Sequence, residues 1–238
     1  MNHLDYYKYQ TTARGVKGLR EIEELALARA DVYRRVVLPR LPQDRASRIA
    51  ELACGHGSFL WWLKSQGFHH ITGIDSSAEQ VAVAREVDCV VEKAEVVGWL
   101  EHQPPQSVDA LVGIDLVEHL TKDDFMNVLR QSSRALVPSG VLVLRYPNGD
   151  SPLVGLNLFN DITHIWTYTT NCVRTLAAMH DFSTVTFADE SDVALRDHRW
   201  LKVPLSKISG LILRGLIRAA TRENVRYLSP HIWAFLQR

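Results

Sequence analysis

No stretch of this chain approaches the roughly 18 consecutive apolar residues that a membrane-spanning helix needs. The opening MNHLDYYKYQ holds no apolar signal core. Both absences point to a cytoplasmic protein without a transmembrane segment. Charge of one sign is also missing. Lys and Arg number 27, as do Asp and Glu, so no global field draws the chain toward nucleic acid or a membrane. Cysteine is scarce: Cys54, Cys89 and Cys172 show no metal-ligand spacing, and their odd count fits reduced thiols rather than a disulfide framework. There is no G-x-x-x-x-G-K-[ST] phosphate loop, no internal repeat and no low-complexity tract. With 238 residues, 46% hydrophobic and 23% charged, one ordinary globular core is expected, and no composition shift marks a linker.

What is present centres on residues 48–75, RIAELACGHGSFLWWLKSQGFHHITGID. Residues 48–52 have strand length and an apolar cast. A glycine-bearing loop follows, then an amphipathic run from Ser58 to Gln66. Gly67 stands where a helix C′ residue belongs, and residues 70–74 again read as a strand ending at Asp75. A strand, glycine loop, helix and strand with a carboxylate after the second strand make a cradle for a nucleoside cofactor. Glycines admit a ligand close to the backbone, the helix N-terminus offers N–H groups, and the carboxylate can accept from ribose hydroxyls. The dinucleotide fingerprint G-x-G-x-x-G is excluded, because counting from Gly55 puts Leu60 at its third glycine.

Glu51-Leu52-Ala53-Cys54-Gly55-His56-Gly57 resembles motif I of the class I S-adenosylmethionine-dependent methyltransferases, E/D-x-G-x-G-x-G, with Ala53 in place of the first glycine. The resemblance implies a Rossmann-like, doubly wound α/β sheet of seven strands, mostly parallel with an antiparallel last strand. It implies S-adenosylmethionine as cofactor, surrounded by Glu51, Ala53, Gly55, Gly57, Asp75, Ser76, Ala94, Glu95 and Asp115. It covers residues 48–146 clearly and the remainder more loosely.

Along the chain, a tyrosine-rich arm with Tyr6, Tyr7 and Tyr9 is expected to dock the terminus. A helix from Leu19 to Val36 ends at Pro39 and Pro42. Residues 1–45 thus form an N-terminal helical cap, 46–146 a cofactor-binding core, and 147–238 a substrate-side segment within one domain. Ser76 and Ser77 can cap a helix over residues 78–85, residues 89–92 form a third strand, and residues 93–95 its loop. Residues 108–114 form the fourth strand. A helix over residues 123–136 and a turn over 136–140 lead to a fifth strand at 141–146. A helix over residues 169–180 and a strand near 184–187 follow. Residues 229–236 are the final strand, which by resemblance inserts antiparallel beside the fifth.

Chemistry is expected where the fourth and fifth strands end. Asp115-Leu116-Val117-Glu118-His119-Leu120 resembles a stretch of small-molecule O-methyltransferases such as those of ubiquinone biosynthesis. Asp161-Ile162-Thr163-His164 resembles a D-x-T-H segment of bacterial sugar-tailoring methyltransferases. His164 and His119 are the candidate bases, with Asp161 beside them, because imidazole titrates near neutral pH. The acceptor implied is a hydroxyl of a small molecule or carbohydrate. A divalent metal on Asp115, Glu118, His119, Asp161 and His164 is a possible addition, but a metal-free site is preferred. Two rivals stand beside this reading. One is an RNA 2′-O-methyltransferase, disfavoured by the balanced charge. The other is a non-catalytic partner protein with the same fold, disfavoured by intact Gly55, Gly57 and Asp75. Residues 203–221 read as a basic amphipathic helix with Lys207, Arg214 and Arg218 on one narrow face. It is expected to pack on its own domain, with peripheral membrane contact or self-association as the alternatives.

Overall fold

The computed structural model describes residues 16–190, 202–222 and 225–238. The tyrosine arm at residues 6–9 and His198 lie outside these. Seven strands form one sheet in the order β3-β2-β1-β4-β5-β7-β6. They are β1 (Arg48–Leu52), β2 (His70–Asp75), β3 (Val90–Lys93), β4 (Val108–Ile114), β5 (Leu136–Pro147), β6 (Thr184–Asp189) and β7 (His231–Gln237). The first five run parallel. β7 is antiparallel to both β5 and β6, so the final strand does insert beside the fifth.

The central strands are apolar on both faces because both faces are covered. On one side, α1 (Leu19–Val32) and α2 (Ser58–Ser65) bury Tyr33, Phe59, Trp62 and Trp233. On the other, α4 (Val96–His102), α5 (Lys122–Ala135) and α7 (Thr170–Met179) bury Trp99, Phe125, Leu129 and Val173. Between β2 and β3 lies α3 (Ala78–Ala84), capped by Ser77, whose hydroxyl accepts from the Gln80 N–H. Strand order reverses between β1 and β4. The crevice at their C-terminal ends is where such sheets bind ligands.

Several boundaries differ from the sequence expectation. β5 begins at Leu136 rather than 141, because its first residues extend the ladder to β4 past an irregularity near Val108. The third strand keeps Lys93, which pairs with Asp75. The first helix ends at Val32 and continues as a π-helical turn over Tyr33–Val37 before its prolines. α4 was not foreseen, since a helix of 7 residues without a capping side chain leaves little pattern to read. The last helix, α8 (Lys202–Thr221), is half-buried at Gly210, Leu213 and Ile217, while Ile208, Leu211, Ile212 and Leu216 are exposed.

Candidate active site and cofactor cradle

The loop after β1 is built from left-handed backbone. Ala53, Gly55 and Gly57 have φ of 56°, 53° and 86°. The two glycines serve different ends. A Cβ on Gly57 would meet Ala84 Cβ at 3.1 Å and Cα at 3.2 Å, so this glycine lets α2 start tight against α3. A Cβ on Gly55 would meet nothing nearer than Gln80 Oε1 at 3.9 Å. Gly55 therefore borders open space, which leaves its backbone open to close approach. Leu60, which breaks the dinucleotide pattern, fits because β2 carries Gly73 opposite. A Cβ there would lie 2.5 Å from Leu60 Cδ1 and 2.9 Å from Cys54 Sγ. The close helix–strand approach survives with bulk and glycine exchanged.

Asp75 closes the cradle. Its Oδ2 accepts from the Gly55 N–H at 2.8 Å and its Oδ1 from the Ser77 N–H at 2.9 Å. Ser76 also donates its backbone N–H to this carboxylate. Burial pushes the carboxyl above its ordinary pKa, and these backbone donors oppose the shift. Ala94 donates its N–H to the Asp75 carbonyl, and the exposed Glu95 is near enough to add to the Asp75 shift. Glu51 lies deeper, 3% exposed on β1, and accepts from the Leu60 N–H. Its Oε2 has no hydrogen-bond partner among the described residues, and burial raises its pKa strongly. An open glycine edge, an anchored carboxylate and an unsatisfied buried acid fit a ligand with ribose hydroxyls and a cationic end.

Asp115 follows β4 with φ of 53° and donates its N–H to the Arg145 carbonyl. Its carboxylate is paired with the guanidinium of Arg145, a β5 side chain only 2% exposed. Glu190 accepts from Arg145 Nε at 2.5 Å and from Trp233 Nε1 at 3.0 Å. Burial works to raise the Asp115 carboxyl, but Arg145, His231 and Arg29 outweigh it and hold it below the usual range. His231, at the start of β7, is held at about 4 by burial and by the Arg145 charge. The sequence reading gave Arg145, Glu190 and His231 no role. The signal was the inserted last strand, which sets His231 opposite Pro147.

The two candidate histidines meet. Ring centroids of His119 and His164 are 4.7 Å apart with planes at 67°. His119 sits in the 3-10 turn Val117–His119 after β4, and His164 in the segment after β5. That segment begins with the short helix α6 (Gly155–Leu158). It is pinned to the turn by Ile165, whose N–H donates to the Glu118 carbonyl at 2.7 Å, and by Lys122 Nζ, 4.1 Å over the Trp166 ring. Asp161 acts at one remove. Thr163 donates its hydroxyl to Asp161 Oδ1 at 2.6 Å, so it must accept from His119 Nδ1 at 3.0 Å. His164 Nδ1 donates to the Leu158 carbonyl at 3.0 Å. In both rings Nδ1 carries the proton and Nε2 is left as the basic nitrogen. Burial and the neighbouring His164 lower the His119 pKa. Glu118, 1% exposed, completes the group, with its pKa raised by burial and by Asp115. Its Oε2 lacks a partner among the described residues. One ligand atom each from Glu118, His119 and His164 fall within 4.8 Å of one another. The missed member is Thr163, which links Asp161 to His119.

Residues 25–202 match the model of a methyltransferase-domain family. Trans-aconitate 2-methyltransferase of Azoarcus sp. (strain BH72) is 32% identical over 122 residues, covering 50% of this chain and 46% of that protein. The match thus spans under half of that relative's length. The structure of an S-adenosylmethionine-dependent methyltransferase from Archaeoglobus fulgidus superposes with a TM-score of 0.70 at 19% identity, covering 97% of this chain and 99% of that one. Geranyl diphosphate C-methyltransferase from Streptomyces coelicolor A3(2), in complex with Mg2+, geranyl diphosphate and S-adenosyl-L-homocysteine, gives 0.59 at 12% identity over 90% and 82%. At these identities the two structures speak for the fold, which the sheet order and the cradle after β1 repeat. With three quarters of its length inside the family model, the chain belongs to the class I S-adenosylmethionine-dependent methyltransferases.

Proposed function

We propose that this methyltransferase moves the cofactor's methyl group to a hydroxyl oxygen of a small-molecule or carbohydrate acceptor, with His164 as the base. The pairing of His164 with His119 at the ends of β4 and β5 carries the reading. S-adenosylmethionine supplies an electrophilic methyl carbon, which leaves the protein to align, exclude water and deprotonate. Gly55 and Asp75 would hold the nucleoside of that cofactor, with Glu51 and Asp115 completing the cradle. His164 Nε2 would take the hydroxyl proton as the acceptor oxygen is methylated. The Leu158 carbonyl, bound to Nδ1–H, steadies the imidazolium that results. A carboxylate acceptor, such as trans-aconitate offers, would need no base. Two histidines held in the basic tautomer favour a hydroxyl instead. Around them Leu156, Phe159 and Ile162 are exposed, Phe159 at 83%, which suits an acceptor with an apolar part.

His164→Ala is expected to lower turnover by about 10²–10⁴-fold while cofactor affinity stays intact. Full turnover in the folded variant would remove His164 from the chemistry.

The grouping of Glu118, His119 and His164 favours a second reading, in which those three atoms hold a divalent transition metal. Such an ion would lower the pKa of a bound acceptor oxygen. Activity after exhaustive chelation decides between the two. Full activity without metal supports the base, whereas loss restored by zinc or manganese, but not in Glu118→Ala, supports the ion.

A further inference from the structure

Helix α8 presents two apolar stripes on opposite sides. Gly210, Leu213 and Ile217, half-buried and at helical spacing, face the domain, and a Cβ on Gly210 would lie 3.6 Å from Leu228. Ile208, Leu211, Ile212 and Leu216 face away, with Leu211 67% exposed. The helix and the residue after it carry Lys202, Lys207, Arg214, Arg218 and Arg222 and no acid, although the chain as a whole has zero net charge. At about 100° per residue, Lys207, Arg214 and Arg218 fall on one flank of the outward stripe. Arg214 is also tied down, donating to the Val225 and Arg226 carbonyls.

We propose that α8 docks this enzyme on an anionic lipid bilayer, its outward stripe entering the headgroup boundary and its cations meeting lipid phosphates. Exposed aliphatic side chains beside a row of cations are the pattern that binds such an interface. Charge complementarity selects the bilayer over a second copy of the chain, because an antiparallel pairing would set the cationic row against itself. The placement also serves the proposed site. Residues 225–229 lie between α8 and the turn after β5. Asn148 donates to the Tyr227 and Ser229 carbonyls and Ser151 to that of Leu228. From that turn the chain enters the segment that carries His164. A bilayer under α8 therefore lies close to where an acceptor with an apolar part would arrive.

The test is flotation of the full chain with vesicles of phosphatidylcholine alone and with 30% phosphatidylglycerol (about three lipids in ten). Binding is expected only to the anionic vesicles. Lys207→Glu/Arg218→Glu should weaken it by about 25-fold or more, and Leu211→Glu/Leu216→Glu by at least about tenfold. Thermal melting and S-adenosylhomocysteine affinity should stay those of the wild type, which separates this proposal from the catalytic one. Equal or absent binding to both vesicles would overturn it, as would variants that float like the wild type. A wild-type dimer that Leu211→Glu/Leu216→Glu converts to monomer, without vesicle binding, would assign the stripe to self-association instead.

Discussion

Replacing Asp75 separates what this carboxylate does for the loop from what it does for the cofactor. Its two oxygens each accept a backbone N–H, from Gly55 at 2.8 Å and Ser77 at 2.9 Å. Asp75→Ala strips both donors of their acceptor. Water reaches this rim, so the loss is nearer the net worth of two hydrogen bonds than their full desolvation, about 2–3 kcal/mol. For a domain of this size that lowers Tm by about 4–12 °C. The ribose hydroxyls would lose the same acceptor, at about 1.5–3 kcal/mol for charge-assisted bonds, which is about 12- to 160-fold in Kd. Asp75→Asn divides the effects: its oxygen keeps one backbone donor while its NH2 faces the other. Calorimetry with S-adenosylhomocysteine, paired with thermal melts of the free protein, reads both quantities. A lowered Tm with unchanged affinity would make Asp75 a structural tie and refute its part in the cradle. Unchanged values in both would refute the geometry.

Two further outcomes follow from packing and charge. Gly73→Ala forces a methyl against Leu60 and Cys54, so a loss of about 1–3 kcal/mol is expected by urea unfolding. Leu60→Ala should then cost less in the Gly73→Ala background than alone, and strict additivity would contradict the contact. His231, ordinarily near 6.5, is held at about 4, so the folded state refuses a proton that the unfolded chain accepts. Its contribution is complete above pH 6.5 and is lost as pH falls toward 4, on the order of 2–3 kcal/mol. His231→Gln should flatten that part of the stability profile, and an unaltered slope would contradict the assignment.

The cofactor half of the molecule was legible because its signals are local. Gly55, Gly57 and Asp75 lie within one strand–loop–helix–strand unit, and each has a backbone reason readable from spacing. Even there one reason stayed hidden, since the close pass of Ala84 against Gly57 joins two separate helices. The acceptor half depends on distant contacts. His119 and His164 were named, but their meeting rests on ties between distant segments, such as those from Ile165 to the Glu118 carbonyl and from Thr163 to His119. The Arg145 pairs join residues 30 and 45 positions apart, and no periodicity announces them. The α8 stripe was visible as a pattern. Which side faced the domain was not, because both sides are apolar.

Placing β7 between β5 and β6 has a consequence for how the chain is made. β7 follows every other strand in synthesis, and β6 pairs with β7 alone. Until the residues of β7 leave the ribosome, β5 is an open edge and β6 has nothing to join. From the synthesis of β5 to that of β7, the nascent chain therefore carries an unpaired strand edge, a template for wrong partners. Loss of residues 231–237 would remove two strands from the sheet rather than one. The Glu190 that pairs with Arg145 is anchored by Trp233 of β7, so completion of the fold and enclosure of this buried guanidinium become a single late event.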